Sequence, residues 1–398
     1  MKIAIIGAGP AGIFTSLFLK DFDGEISLFE QNNDIGEKLK LTGGGRMNVT
    51  NKIFSAKEFS SENLNLLKNL FKSPWIKKRE ELFAELGVKY KWEGDRAILE
   101  SGNALKEVER LNMLLQEQKN LRVETACKVM AVKTLEDGKF LIGFQNDDAV
   151  KEEIFDIVIL CGGGMFRIKD LGDLKKIYKL PLELGHSVTN LRPSLSSLFI
   201  SNNPLAEFSG VVFKGKLTDP VNKKSASGEI LATHQGLSGP AVLDFSSMIE
   251  SKHIELAFIS EIDEETFSKE FQKMRNGNET VKTLLHKFLS NRICDYLLKI
   301  SALDPEIKIA MTSKENLKKL QKNLFHLELR NVDVMDYSFA WTTKGGIPLK
   351  EINVATLESR LHKNLYFAGE ILDVNGLCGG YNISFATISA KIVSESIL

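Results

Sequence analysis

The chain has 398 residues, 43% hydrophobic and 26% charged, with 52 Lys plus Arg balancing 52 Asp plus Glu. This is globular composition, long enough for two or three domains with a real core. The even charge gives no overall pull toward a polyanion, so no nucleic acid partner is expected. Short basic runs such as Lys77-Lys78-Arg79 read as solvated helix faces.

The four cysteines, Cys127, Cys161, Cys294 and Cys378, form no CxxC pair. They argue against a structural zinc site or a disulfide framework and fit a reducing, cytoplasmic compartment, with no metal expected. No charged leader precedes the first apolar run. No apolar stretch reaches the roughly 18 residues of a membrane span, so no membrane partner is expected.

The predicted elements begin at once. Ile3 to Ile6 is a short apolar run, as in a strand buried on both faces. Gly7-Ala8-Gly9-Pro10-Ala11-Gly12 follows, then a helix over Ile13 to Lys20 and a second strand over Ile26 to Glu30. In this GxGxxG spacing Gly7 permits the tight turn, Gly9 lets the backbone approach a pyrophosphate, and Gly12 lets helix and strand pack closely. The helix start offers N–H groups and positive dipole to phosphate, and Glu30, 18 residues past Gly12, can accept from both ribose hydroxyls. The Glu30-Gln31 corner thus closes a dinucleotide-binding crossover.

Residues 36 to 51 are rich in Gly, Thr and Asn and read as a functional loop. From about 60 to 118 the pattern is helical. Val123 to Val132, Lys139 to Phe144 and Ile154 to Leu160 read as strands, the last running into Cys161-Gly162-Gly163-Gly164. Past about 190 short strands suggest a small β module of barrel type: Ser197 to Ile200, Val211 to Leu217, Glu229 to Thr233 and Ile254 to Ile259. Residues 262 to 326 carry apolar positions at helical spacing, among them Phe267, Phe271 and Met274, then Leu317, Leu320 and Leu324, and read as a helical core. Two strands, Leu327 to Val334 and Tyr337 to Thr343, lead back. The expected fold class is α/β. A discontinuous Rossmann-like domain (1–190 and 340–398) would carry an inserted β-barrel-like domain (191–261 and 327–339) and a small helical domain (262–326).

Two features favour FAD over NAD. The apolar strand into Cys161-Gly162-Gly163 resembles a turn passing close to a bound flavin nucleotide. Leu365 to Glu370 is a strand ending in Gly369 and an acid able to hold ribityl hydroxyls, and Gly379-Gly380-Tyr381-Asn382 opens the last helix, which could stabilise negative charge on a reduced flavin ring. The sequence holds no second strand–GxGxxG–helix, so NAD(P)H would act only as a transient donor at the flavin face.

The run Glu37 to Asn51, with Thr42-Gly43-Gly44-Gly45-Arg46-Met47-Asn48, resembles the signature loop of the HI0933-like flavoprotein family. So, in order, do Gly228 to Pro240, Thr343 to Ile347, Phe367 to Gly376 and Gly379 to Asn382, across nearly the whole chain. The resemblance implies an FAD domain with the two inserted parts and a flavin cradled by the Thr42–Asn51 loop, the Glu370 strand and the Gly379–Asn382 turn. This chain departs in having Met47 where the family has Cys, Cys378 where a small residue such as Thr is usual, and only Leu171-Gly172-Asp173 where a Gly-Ser-Thr-Gly turn is usual.

Arg46 and Asn48 read as contacts to flavin or substrate, or as loop braces. Lys38 pairs with a phosphate or faces water. His234 lines a substrate pocket or only satisfies its turn; His186 reads as structural. Asp373 reads as a cofactor contact, and Val129, on the strand after Glu30, is grouped with the cofactor-binding residues. Cys161 and Cys378 read as packing residues. No matched acid–base pair stands out, so the catalytic candidates stop at Arg46, Asn48 and His234. The expected activity is FAD-dependent redox of a small amine, ketone or unsaturated carbonyl, with oxygen or NAD(P)H as redox partner. The alternatives are a flavin-binding regulatory protein or a flavin-dependent RNA-modifying enzyme. Oligomeric state is left open.

Overall fold

The structure, a computed structural model, describes residues 1–146, 149–166 and 177–398. The Leu171-Gly172-Asp173 departure lies outside the described residues. The chain divides into two compact units, Met1–Arg192 with Thr342–Leu398, and Pro193–Trp341.

In the first unit strand Lys2–Ile6 is central, with Ile3, Ala4 and Ile5 fully buried. Glu25–Phe29 and then Leu121–Glu124 lie parallel on one side, and Ile157–Leu160 and then Leu365–Phe367 on the other. Two short antiparallel strands, Glu358–Ser359 and Ile352–Asn353, extend the second side. Strand order therefore reverses at the first strand, and the crevice at the carboxyl ends beside it is where open α/β sheets bind ligands.

The first helix runs over Pro10–Phe18 rather than Ile13 to Lys20. Pro10 occupies the first helical position, where a missing N–H costs nothing, so the helix starts directly at the turn. The buried hydroxyls of Thr15 and Ser16 donate to the carbonyls of Ala11 (2.7 Å) and Gly12 (2.9 Å). The C-terminal helix Tyr381–Ile397 packs against it, and its serines tie three segments. Ser384 donates to Thr50 Oγ1 (2.8 Å), Ser389 Oγ accepts the Gly369 N–H (2.9 Å), and Ser394, bonded within its helix to Ala390 O (2.8 Å), also reaches Thr15 O (3.5 Å).

Three expected elements divide differently. The stretch 60 to 118 contains helices Leu64–Leu70, Pro74–Lys77, Arg79–Glu85 and Ala104–Glu117, but also a hairpin, Tyr90–Glu93 with Arg96–Leu99, turning at Gly94 (φ 63°). The Val123 to Val132 strand is two, Leu121–Glu124 and Cys127–Thr134, broken at left-handed Ala126 (φ 49°). Ile154 to Leu160 likewise divides between Ala149–Phe155, in an antiparallel meander with Phe140–Asn146 and Cys127–Thr134, and the parallel strand Ile157–Leu160. Continuous apolar runs hid these corners, where the chain passes from one sheet to another.

In the second unit seven antiparallel strands run in the order Leu327–Arg330, His253–Ala257, Val212–Thr218, Ser225–Ala232, Gly236–Ser238, Leu198–Ile200, Val332–Val334. The two outer strands are halves of one segment bent at Asn331 (φ 54°). Such a sheet closes on itself, leaving few exposed edges. Helices Glu264–Lys273, Val281–Leu285, Asn291–Ser301 and Lys314–Phe325 bury Phe267, Phe271, Leu284, Leu297, Leu320 and Leu324 in one cluster with Leu217, Ile230 and Leu256 of the sheet. Strand and helical parts thus share a core. Of Tyr337 to Thr343, only the end enters a strand, Thr342–Lys344. Among the described residues no helix is long and apolar enough to cross a membrane.

A buried polar latch fixes the sheet edge of the first unit. The His186 side chain is fully covered; Nδ1 lies 3.0 Å from Glu351 Oε2 and Nε2 lies 2.9 Å from Ser359 Oγ. Ser359 Oγ already accepts the N–H groups of Leu361 and His362 (3.0 Å each), so its proton points to Nε2 and the neutral ring donates from Nδ1 to Glu351. Burial lowers the His186 pKa below its ordinary 6.5, against the raising effect of Glu351. Burial raises that of Glu351, but the Ser187 hydroxyl and N–H and His186 outweigh it and leave it lowered. Both groups therefore bind fewer protons folded than unfolded. Their stabilisation is complete above the ordinary value of each, about 6.5 and 4.5, and is lost as pH falls through the folded values. Thermal unfolding followed from pH 7.5 to pH 5 should show a falling Tm, and His186→Gln should flatten that fall; an equal slope in the variant would contradict the latch.

Candidate cofactor-binding and active site

Three turns lie side by side at the carboxyl edge of the parallel sheet because the ladder of backbone bonds continues into them. Gly7 N–H donates to Phe29 O (2.8 Å), Cys161 N–H to Ile6 O (2.8 Å) and Ala368 N–H to Leu160 O (3.1 Å). The approach leaves no room for side chains. A Cβ on Gly7 (φ 105°) would fall 2.6 Å from Cys161 O, one on Gly12 1.9 Å from Gly7 O, and one on Gly369 2.7 Å from Ala11 Cβ. Gly9 is different: nothing lies within 4 Å of its missing side chain. That open space faces the start of helix Pro10–Phe18, whose first N–H groups have no partner within the helix.

Glu30 leaves strand Glu25–Phe29 at the same edge and is 8% exposed. Its Oε2 accepts the Ala8 N–H (2.8 Å), and Oε1 accepts the N–H (2.9 Å) and side-chain amide (2.7 Å) of Asn32. The carboxylate is thereby fixed against the first turn. Its backbone N–H donates to Glu124 O and its carbonyl accepts from Cys127 N–H, both 2.8 Å. This stitch starts the strand that carries half-buried Val129, paired with Phe144. Gln31 is exposed.

The glycine-rich loop forms helix Glu37–Leu41 and a tight turn, Thr42–Gly45. Gly43, Gly44, Gly45 and Met47 are all left-handed, with φ of 60°, 66°, 82° and 55°. Glycine takes this conformation freely; Met47 takes it fully buried, its N–H donating to Thr42 O (2.9 Å) and its carbonyl accepting from Leu99 N–H (3.3 Å). No atoms lie within 4 Å of the missing side chains of Gly44, Gly45 and Gly163, whereas Asn48 Oδ1 lies 3.3 Å from that of Gly43.

Strand Asn48–Asn51 carries the loop to the C-terminal helix. A Cβ on Gly380 (φ 97°) would be 2.6 Å from Thr50 N, and Asn51 Nδ2 donates to Gly379 O (3.3 Å). Arg96, on the hairpin hidden from the helical reading, stands beside them, its Nε 3.2 Å from the position of a Gly379 Cβ. Alternating Tyr90 and Trp92 ahead of Glu93-Gly94-Asp95 was the signal for that hairpin.

Several side chains expected at the cofactor also have protein partners that frame the site. Asp373 Oδ2 accepts from Ser61 Oγ (3.0 Å) and the Glu62 N–H (2.7 Å), and burial raises its pKa above the ordinary carboxylate value. Asn382 accepts from the Gly376 N–H and donates to the Gly376 carbonyl, both at 2.9 Å. The Tyr381 ring stacks on Phe54 at 5.9 Å and meets Phe59 edge-on at 5.8 Å. Arg46 is exposed and ion-paired with Glu93 (3.2 Å). Lys38 pairs with Glu370, whose other oxygen accepts the Thr343 N–H (2.9 Å). Cys161 is buried, its thiol pushed up to about 12 by burial, so it is inert packing; Cys378 is half-buried. His234 belongs to the second unit, exposed in the turn between Ser225–Ala232 and Gly236–Ser238, its carbonyl accepting from Asn203 Nδ2 (3.2 Å). Among the described residues no group of three His, Cys, Asp or Glu could hold a metal ion.

The residues fit an FAD. The Gly9 opening and helix start suit the pyrophosphate, and fixed Glu30 suits the adenosine ribose. The left-handed glycine loop, the Glu370 carboxylate and the Gly379–Gly380 turn would hold the other end. Fold and site together define a flavoprotein oxidoreductase with a Rossmann-type nucleotide domain. The chain belongs to the HI0933-like family, whose description, HI0933-like protein Rossmann domain, matches residues 1–396. It is similar to the 3-dehydro-bile acid delta(4,6)-reductase of Clostridium scindens, 28% identical over 99% of this chain and 98% of that protein. It is also similar to the ribosomal RNA dihydrouridine synthase of Haemophilus influenzae, 27% identical over 99% and 97%. Among solved structures, the 3-ketosteroid-delta4-(5alpha)-dehydrogenase of Rhodococcus jostii shares the fold, with a TM-score of 0.51 at 12% identity over 99% and 96% of the two chains.

Glu30→Ala removes the carboxylate that anchors the first turn and would hold the adenosine ribose. FAD titration of apoprotein by fluorescence quenching should show affinity at least about tenfold weaker, about 1.4 kcal/mol; unchanged affinity would place the adenosine half elsewhere.

Proposed function

We propose that this protein reduces a carbon–carbon double bond conjugated to a carbonyl in a small organic substrate, using FAD recharged by a transiently bound NAD(P)H. The observation that carries this reading is the end-to-end similarity to two relatives whose named activities share that chemistry. A delta(4,6)-reductase of a 3-dehydro bile acid and a synthase that turns uridine into dihydrouridine both saturate a ring double bond in conjugation with a carbonyl. Of the amine, ketone and unsaturated carbonyl allowed by the sequence, the last is common to both.

Bound FAD supplies a two-electron hydride carrier. The chain supplies the rest. The first turn and Glu30 hold the adenosine diphosphate half, and the glycine loop with the Gly379–Gly380 turn presents backbone N–H groups and the positive end of helix Tyr381–Ile397 to the ring. An electron-rich reduced ring is stabilised by that end. With no second GxGxxG unit in the sequence, a nicotinamide donor would dock at the flavin face and leave. A ribosomal RNA uridine is the second reading, favoured by the Haemophilus influenzae relative and by an Escherichia coli relative of the same name; the even charge of the chain weighs against it. A flavin-binding regulator with little turnover is the third.

Anaerobic stopped-flow mixing separates these. NADPH or NADH should bleach the flavin, and a conjugated cyclic enone should restore its colour at least about a hundredfold faster than the saturated ketone. Bleaching by amines alone, with peroxide formed on admitting air, would contradict the reductase reading. Recovery of colour only with ribosomal RNA would favour the second.

A further inference from the structure

The ion pair between Lys38 and Glu370 joins residues 332 apart in sequence, with side chains only 24% and 16% exposed. Glu370 follows strand Leu365–Phe367 at the carboxyl edge, and Lys38 lies in helix Glu37–Leu41, directly before the glycine loop. The two carboxylate oxygens have separate partners: Oε2 takes the Lys38 ammonium, and Oε1 the Thr343 N–H at 2.9 Å. The Cys161–Gly164 turn closes in from a third side. A Cβ on Gly164 would fall 2.6 Å from Oε1, and the next N–H, of Met165, donates to Thr343 Oγ1 at 2.6 Å. The Lys38 ammonium also stands 5.5 Å over the Phe166 ring. A carboxylate offers about four lone-pair positions, so two remain for hydroxyl donors.

We propose that Lys38 is a positioning residue that fixes Glu370 and cancels its charge beside the flavin, so that this pair sets the reduction potential of bound FAD. The inference rests on the flavin reading above. Reduced flavin carries more negative charge than oxidised flavin, and fixed charge near the ring tunes the balance between them. In a poorly solvated site an unopposed ammonium or carboxylate acts strongly, and a paired one weakly.

The test is the two-electron potential of the holoenzyme, measured anaerobically against reference dyes. Lys38→Met leaves the carboxylate unopposed and should lower the reduced-to-oxidised ratio at fixed solution potential about tenfold, about 30 mV for a two-electron couple. Glu370→Gln leaves the ammonium unopposed and should move the ratio the opposite way by a similar factor. The double variant should return toward wild type, and Lys38→Arg should stay close to it. A brace with no electrostatic role cannot produce opposite signs. Wild type that holds FAD, with both single variants unshifted or shifted the same way, overturns the proposal and leaves the flavin reading intact. Wild type that takes up no flavin overturns both. If Lys38→Met yields no folded protein, Glu370→Gln decides alone: a raised ratio supports the proposal and an unchanged or lowered one overturns it.

Discussion

Backbone meets backbone at the carboxyl edge of the parallel sheet, and the rest of the site depends on that contact. Gly12 stands so close over Gly7 O that a Cβ would come within 1.9 Å of it, and Gly7 in turn stands over Cys161 O. Only glycine permits this approach. It lets helix Pro10–Phe18 begin directly above the first strand, which aims its unpaired N–H groups at the Gly9 opening. It also brings the Cys161–Gly164 turn alongside, and Gly369 after it. A single methyl on Gly7, Gly12 or Gly369 would push apart turns whose strands are fixed by continuous hydrogen-bond ladders, so strain could not dissipate locally.

The opposite end of the site is built on a different principle. There Gly44 and Gly45 are needed for left-handed backbone rather than for close approach: they have no neighbours within 4 Å of a Cβ, yet hold φ of 66° and 82°. Polar side chains do the joining. The Ser384–Thr50, Asn51–Gly379 and Lys38–Glu370 contacts connect the amino-terminal loop to the carboxyl-terminal helix and strand. A chain that leaves its nucleotide domain for a second unit and then returns must re-form this seam, and it does so with groups that pair only in one register.

Much of this was legible in the sequence because it is local. The GxGxxG turn, its flanking strands and Glu30 are set by residues within one crossover, and the structure places them together. The sheet-closing bend at Asn331 and the shared core of the second unit were half legible, as short strands and apolar helical stripes. What stayed hidden was non-local or masked by apolar continuity. The Tyr90–Leu99 hairpin, which brings Arg96 to Gly379, was lost inside a helical stretch. The partners of Lys38 and Asp373 lie 332 and 312 residues away, and Asn382 braces the turn that leads into its own helix. Short polar residues at a conspicuous glycine motif serve the turn as readily as the ligand. Physical exclusion, by contrast, can be read from type alone: a glycine held in a turn beside strand ends points to something large coming close.

The central claim is that these two ends enclose one FAD per chain, and the most direct measurement is the flavin released by heat from a known amount of purified protein. The account predicts a yellow protein that yields FAD, not FMN, at close to one per chain after reconstitution. Colourless protein that releases none after incubation with excess FAD would contradict it.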